Sequence, residues 1–135
     1  MVRIELAYQG ELRVNAKHEL SSETLDTDAP LDNKGKGQSF SPTDLLATAL
    51  GSCMLTIMGI TAEEKSIQIE GTQVEVIKHM SADLPRRVAQ LDIKMTIPQP
   101  LDAREMTILQ HAAETCPVAK SIHPDLKINL TMQCL

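Results

Sequence analysis

The chain is almost without aromatic residues. Tyr8 and Phe40 are the only two, and tryptophan is absent. A groove that reads single-stranded nucleic acid by stacking needs rings, so that class is disfavoured. Positive charge is also scarce. The net charge is −5, and no Lys/Arg run extends beyond Arg86-Arg87, which argues against nucleic-acid binding generally. The start of the chain carries no signal-like pattern. The apolar run Leu45–Ile60 is interrupted by Thr48, Gly51, Ser52 and Cys53, which argues against a membrane span. The expected location is cytoplasmic. Three cysteines, an odd number with no C-x-x-C spacing, do not suggest a structural disulfide framework but thiols kept reduced. No Gly-rich phosphate motif is present, since Gly35-Lys36-Gly37 is short and follows no clear strand.

What is present is aliphatic. Hydrophobic residues make up 42 % of the 135, and seven are Met. One domain spanning residues 1–135, with an aliphatic core, is the expectation. Its organising stretch is Ser41–Lys65. Ser41 reads as an N-cap, Pro42 as the first helical residue and Asp44 as the third member of a capping box. Leu46, Leu50, Cys53, Ile57 and Ile60 then fall at helical steps, and Leu45, Ala49, Met54 and Met58 widen that face.

Before this helix, Val2–Tyr8 and Leu12–Lys17 alternate as strands of a hairpin turning at Gln9-Gly10. A short third strand fits Glu19–Leu25, and Asp26–Ser39 reads as a long loop that either connects flexibly or serves a site. After the helix, Ile67–Lys78 and Arg87–Ile97 form a second hairpin, with Gly71 as a bulge. Asp102 opens a second helix through Thr115. A short helix Val118–Ile122 and a last strand Leu126–Leu135 follow. The predicted order is ββ(β)–α–ββ–α–α–β, an α+β fold.

Cys134 lies in phase with Ile128 and Leu130 and reads as a small buried apolar residue. Cys53 is either a core hydrophobe or a reactive thiol in a dry pocket. Cys116, before Pro117, sits at a helix boundary. The histidines are scattered. Cys53, Cys116 and His123 lack metal-ligand spacing, so no metal site is expected. A Cys–His dyad of Cys53 with His111 or His123 is a further option without a local pattern.

Two motifs together resemble the OsmC/Ohr family of organic hydroperoxide reductases. One is Ser41-Pro42-x-Asp44-Leu45-Leu46-x-x-Ala49-Leu50-Gly51-Ser52-Cys53 opening the long helix. The other is Cys116-Pro117-Val118-Ala119-Lys120-Ser121 after the second. The resemblance implies an intertwined homodimer, with long central helices wrapped by antiparallel sheets. It implies a thiol peroxidase acting on small hydrophobic hydroperoxides, without metal, flavin or haem, re-reduced by an external dithiol, typically lipoyl. By this analogy Cys53 is the peroxidatic and Cys116 the resolving cysteine.

A thiolate in mid-helix gains little from the helix dipole and needs a cation. The family uses an Arg held by a carboxylate, and here the chain departs from it. Thr43 stands where the carboxylate follows the helix-opening proline, and the loop offers Lys34 and Lys36 but no Arg. Arg13 is the nearest candidate for stabilising the thiolate, and Asp44 the nearest carboxylate. The departure also keeps an alternative open, a non-catalytic small-ligand-binding or redox-sensing protein on the same fold.

Overall fold

The structure, a computed structural model, describes residues 1–135. The chain folds as two compact units, Met1–Leu46 and Ala47–Leu135.

The first unit is a three-stranded antiparallel sheet with a structured loop. Strands β1 (Ile4–Gly10), β2 (Arg13–His18) and β3 (Thr24–Asp28) pair in the order β1-β2-β3. The hairpin turns at Glu11-Leu12, two residues later than expected. Gly10, Glu11 and Leu12 all have positive φ (84°, 53° and 65°). Gly10 supplies the register irregularity after Tyr8, and the two residues beyond it form the left-handed turn that suits strand twist.

The third strand also lies later than expected, taking Asp26–Asp28 from the predicted loop. The two carboxylates are strand-compatible because each accepts a hydrogen bond. Asn15 Nδ2 donates to Asp26 Oδ1 at 2.8 Å, and Gln38 N–H donates to Asp28 Oδ2 at 3.0 Å. The rest of the loop is built rather than free. It holds a 3-10 turn, Leu31–Asn33, and closes on the strand through Asp28 N–H to the Phe40 carbonyl (3.1 Å) and Ser39 Oγ to the Asp26 carbonyl (2.8 Å). One sheet face carries Ile4, Leu6, Tyr8, Val14, Ala16 and Leu25 by register. Ile4, Leu6, Tyr8 and Leu25 on it are exposed.

Helix α1 (Pro42–Lys65) starts in the first unit and continues through the second. Its start matches expectation: Ser41 Oγ accepts from Asp44 N–H at 3.0 Å, and Asp44 Oδ2 accepts from Ser41 N–H at 2.9 Å. Its buried face does so in part, at Leu50, Met54 and Met58. Ala47, Leu50, Gly51, Met54, Met58 and Ala62 are buried, whereas Cys53 and Ile57 are half-buried and Ile60 is exposed. The helix is apolar nearly all round, so periodicity could not choose among faces. By length and composition α1 could also cross a membrane, with a mean hydropathy of 1.8. Its interruptions do not disqualify it as the sequence suggested, but core helices pass the same test.

The second unit adds a sheet of β4 (Gln73–Met80), β5 (Val88–Ile97) and β6 (Lys127–Cys134), in the order β4-β5-β6. Leu91, Ile93, Met95 and Ile97 alternate into the core at 1 % exposure or less. β4 is shorter than predicted. Ile67 instead closes the end of α1, its N–H reaching the Ala62 carbonyl (2.8 Å). Gly71, at φ 85°, lies in the turn before the strand and is not a bulge. β6 pairs with β5 in parallel, which corrects the all-antiparallel expectation. The connection through two helices is long enough to permit it. Those helices are α2 (Ala103–Glu114), opened by a full Asp102–Glu105 capping box, and α3 (Pro117–Ser121).

Candidate thiol site

Cys53 and Cys116 come together within the second unit. Cys53 is a near neighbour of the Cys116 thiol and favours its protonated form. Both are free cysteines, Cys53 partly exposed and Cys116 buried at 0 % exposure.

Each is placed by local chemistry. Pro117 has no N–H and restricts the residue before it, so α2 stops and Cys116 turns extended (φ −65°, ψ 149°). The same residue caps α3, its Sγ accepting from Ala119 N–H at 3.4 Å. Cys53 rides on the flank of α1. Two residues earlier Gly51 faces β4 so closely that a Cβ there would lie 3.0 Å from Val76 Cγ2. The glycine lets helix and sheet approach, while Cys53, two residues on, is turned about 200° round the helix from that contact.

Burial is the main cause that pushes the Cys116 thiol above its ordinary 9.0. The Cys53 neighbour adds to the rise, and the N–H groups of Ala119 and Val118 oppose it. Cys116 is therefore a protonated thiol over the neutral range, shielded from any solute but neighbouring the more open Cys53.

Between α1 and α2 runs an open cavity of about 440 Å³ lined by Ile57, Thr61, Thr107, Ile108, His111, Ala112 and Thr115, with neither cysteine in its walls. Ile57 follows Cys53 by one helical turn, and Thr115 immediately precedes Cys116. These lining residues were not singled out from sequence, apart from His111. A usable signal existed in the four-residue spacing of Thr107, His111 and Thr115 on α2, a polar stripe beside apolar positions.

The other predicted residues make contacts of their own. Asp44 belongs to the capping box. Arg13 is in β2, directly across from Asp28, with its Nη1 donating to Gln38 Oε1 at 3.5 Å. His123 accepts from Asp125 N–H at 3.1 Å. Cys134 donates to the Leu101 carbonyl at 3.5 Å. No three His, Cys, Asp or Glu side chains gather as a metal would require. Asp28 was missed from sequence, where it read as loop, yet it is a carboxylate at 1 % exposure.

The family model described as OsmC-like protein matches residues 35–131. Among solved structures, the chain is similar to one assigned to osmotic stress induced and detoxification response proteins, from Psychrobacter arcticus 273-4. The two are 52 % identical with a TM-score of 0.94, over 98 % of this chain and 96 % of that one. An OsmC-like protein of Mycoplasma pneumoniae shares the fold at 18 % identity and a TM-score of 0.84, covering 100 % and 97 %. An organic hydroperoxide resistance protein OsmC of Legionella pneumophila does so at 16 % identity and 0.79, covering 98 % and 96 %. Comparison with curated proteins returns no match.

Proposed function

Since the chain belongs to the OsmC-like family, we propose that it is a thiol-dependent peroxidase that reduces organic hydroperoxides to alcohols. The observation that carries this reading is the asymmetric thiol pair: a partly exposed Cys53 neighbouring a buried Cys116, whose thiol burial keeps protonated.

The chemistry runs in three balanced steps. The Cys53 thiolate attacks the terminal peroxide oxygen and the O–O bond breaks. Cys53 becomes a sulfenic acid, and the alkoxide takes a proton from water and leaves as alcohol. The Cys116 thiol then displaces the sulfenic hydroxyl. An S–S bond forms, and the hydroxyl leaves with the thiol proton as water. An external dithiol, of the lipoyl type that the resemblance implies, returns both cysteines to thiols by exchange and is itself oxidised to a disulfide.

Burial of Cys116 serves this order of events. It keeps peroxide away from the resolving sulfur, so oxidation begins at Cys53. The cavity one helical turn from Cys53 sets Ile57, Ile108 and Ala112 among threonines and His111, and its apolar part suits the alkyl part of a hydroperoxide better than hydrogen peroxide. For the cation that would hold Cys53 as thiolate, the reading takes Arg13, the nearest candidate where the chain departs from the family's Arg–carboxylate pattern. A homodimer is part of the same reading, supported by the exposed apolar face around Leu6 and Tyr8.

The test is consumption of cumene hydroperoxide with a lipoyl dithiol as reductant. Cys53→Ser is expected to lower kcat/KM by at least about a thousandfold, because the nucleophile itself is removed. Turnover by Cys53→Ser at the parent rate sinks the proposal.

A further inference from the structure

The two sulfurs of the site are held differently. Cys116 is fixed by bonds local to its own turn. Its N–H donates to the Ala113 carbonyl at 3.3 Å, and its carbonyl accepts from Lys120 N–H at 3.2 Å. Its Sγ accepts from Ala119 N–H at 3.4 Å. The residue is 0 % exposed, whereas Cys53 on α1 is partly open to solvent.

A disulfide between them thus has one sulfur that a solute can reach and one that it cannot. In thiol–disulfide exchange a thiolate attacks one sulfur and the other leaves, so access selects the sulfur attacked. Attack on Cys116 would need a path through packed interior, and attack on Cys53 needs none. The cost then falls on the leaving group, because a thiolate formed in a buried place has lost its water. The Ala119 N–H already points at the atom on which that charge collects.

We propose that the external dithiol attacks Cys53 Sγ, and that Cys116 departs as a thiolate received by the Ala119 N–H. This deepens the peroxidase reading above and rests on it for the origin of the disulfide. The step balances. The first thiol of the reductant gives its proton to water, and its sulfur bonds Cys53. The Cys53–Cys116 bond breaks, its electron pair passes to Cys116 Sγ, and that sulfur takes a proton from water. The second thiol, deprotonated in turn, attacks the reductant's own sulfur in the mixed disulfide. The reductant closes as a cyclic disulfide, and Cys53 leaves as the thiolate that meets the next peroxide. The dithiol is oxidised by two electrons and the protein disulfide is reduced by two.

The surroundings of Cys116 suit a leaving group that should not return. The N–H groups of Ala119 and Val118 favour its thiolate, while burial, the larger cause, raises it above the ordinary 9.0. The charge is stabilised as it forms, and the freed sulfur then keeps a proton. A protonated thiol does not attack the mixed disulfide, so the protein disulfide does not re-form.

The test starts from a disulfide made with diamide, which needs no peroxidase activity. The oxidised chain is mixed with β-mercaptoethanol, quenched in acid at early times and mapped by peptide mass spectrometry. The adduct should sit on Cys53, with Cys116 a free thiol. An adduct first on Cys116 overturns the proposal, as does a chain in which diamide forms no Cys53–Cys116 disulfide. This map needs no variant and decides the order of attack by itself.

A second arm removes the N–H. A synthetic 116–135 segment, ligated through Cys116 to 1–115, carries an ester in place of the amide between Val118 and Ala119. A control places the ester between Ala119 and Lys120, which deletes the bond from Lys120 N–H to the Cys116 carbonyl and spares the sulfur. Circular dichroism checks that both fold. Stopped-flow reduction of the diamide-made disulfide by a lipoyl dithiol should slow about tenfold with the first ester, as for one hydrogen bond to a charged group, and stay within about twofold with the control. Equal slowing in both, or none in the first, removes Ala119 from the role. If cumene hydroperoxide fails to form the disulfide that diamide forms, the peroxidase reading is lost, and the adduct map still decides which sulfur is attacked.

Discussion

Cys53 neighbours the thiol of Cys116 and helps keep it protonated, although one lies in the middle of a long helix and the other caps a short one. Proximity of this kind turns a condensation between two groups into an intramolecular step. One equivalent of cumene hydroperoxide should therefore convert the parent to a Cys53–Cys116 disulfide, seen as a two-hydrogen mass loss by intact-protein mass spectrometry. Cys116→Ser should instead stop at a sulfenic acid that dimedone traps at Cys53. A dimedone adduct at Cys116 in Cys53→Ser, formed as fast, would reverse the assignment of roles.

The two thiols should also differ in their answer to pH. Burial first, and the Cys53 neighbour second, raise Cys116 above 9.0. A group whose folded pKa is raised contributes stability that is whole below the unfolded value and is lost as pH rises through the folded one. Native alkylation at pH 8 should thus label Cys53 and spare Cys116 until the chain is unfolded. Urea midpoints should fall as pH is raised past about 9, and Cys116→Ala should remove that part of the fall. Equal labelling of both cysteines at pH 8 would contradict the burial of Cys116.

What the sequence disclosed was local chemistry. Ser41, Pro42 and Asp44 announce the start of α1, and Asp102 with Glu105 that of α2, because caps are satisfied within one turn. The core side of β5 is equally plain, since Leu91, Ile93, Met95 and Ile97 alternate without a break. Where several answers satisfy the local rules, the pattern fails. A helix as apolar as α1 could bury any face, and the choice fell to the close approach at Gly51, which depends on β4. Asp26 and Asp28 look like loop until Asn15 and Gln38 are brought beside them. The parallel pairing of β6, and the meeting of the two cysteines, belong to tertiary structure. Only the family resemblance pointed to the second of these.

Gly51 should tolerate one methyl group and no more. A Cβ would sit 3.0 Å from Val76 Cγ2 and 3.6 Å from Val74 Cγ1. Replacing a mid-helix glycine by alanine gains roughly 1 kcal/mol, while the short contact to a β-branched side chain gives some of that back. Gly51→Ala should therefore stay within about 1 kcal/mol of the parent. Gly51→Leu overfills the contact and should cost about 1–3 kcal/mol, read as a lower urea midpoint. It should also slow peroxide turnover, because Cys53 follows two residues on. Adding Val76→Ala should return part of the stability. If it returns none, the strain lies elsewhere on α1.

On the outer face of the second sheet, Asp92 is held by three side chains. Oδ1 accepts from Asn129 Nδ2 and Gln90 Nε2, each at 2.8 Å, and Oδ2 is 2.7 Å from His79 Nε2. These bonds, that from Asn129 foremost, lower its pKa below the ordinary 3.8, against the opposing effect of burial. A depressed carboxylate contributes stability that is present above the unfolded value and lost as pH falls through the folded one. Asn129→Leu should consequently lower the urea midpoint at pH 6. The gap from the parent should narrow as pH drops below 3.8 and close at the lowest pH reached. The effect should be small, because the network is open to solvent. A gap of constant size across the whole range would mean that the substitution acts through the packing of β6 on β5, not through the charge of Asp92.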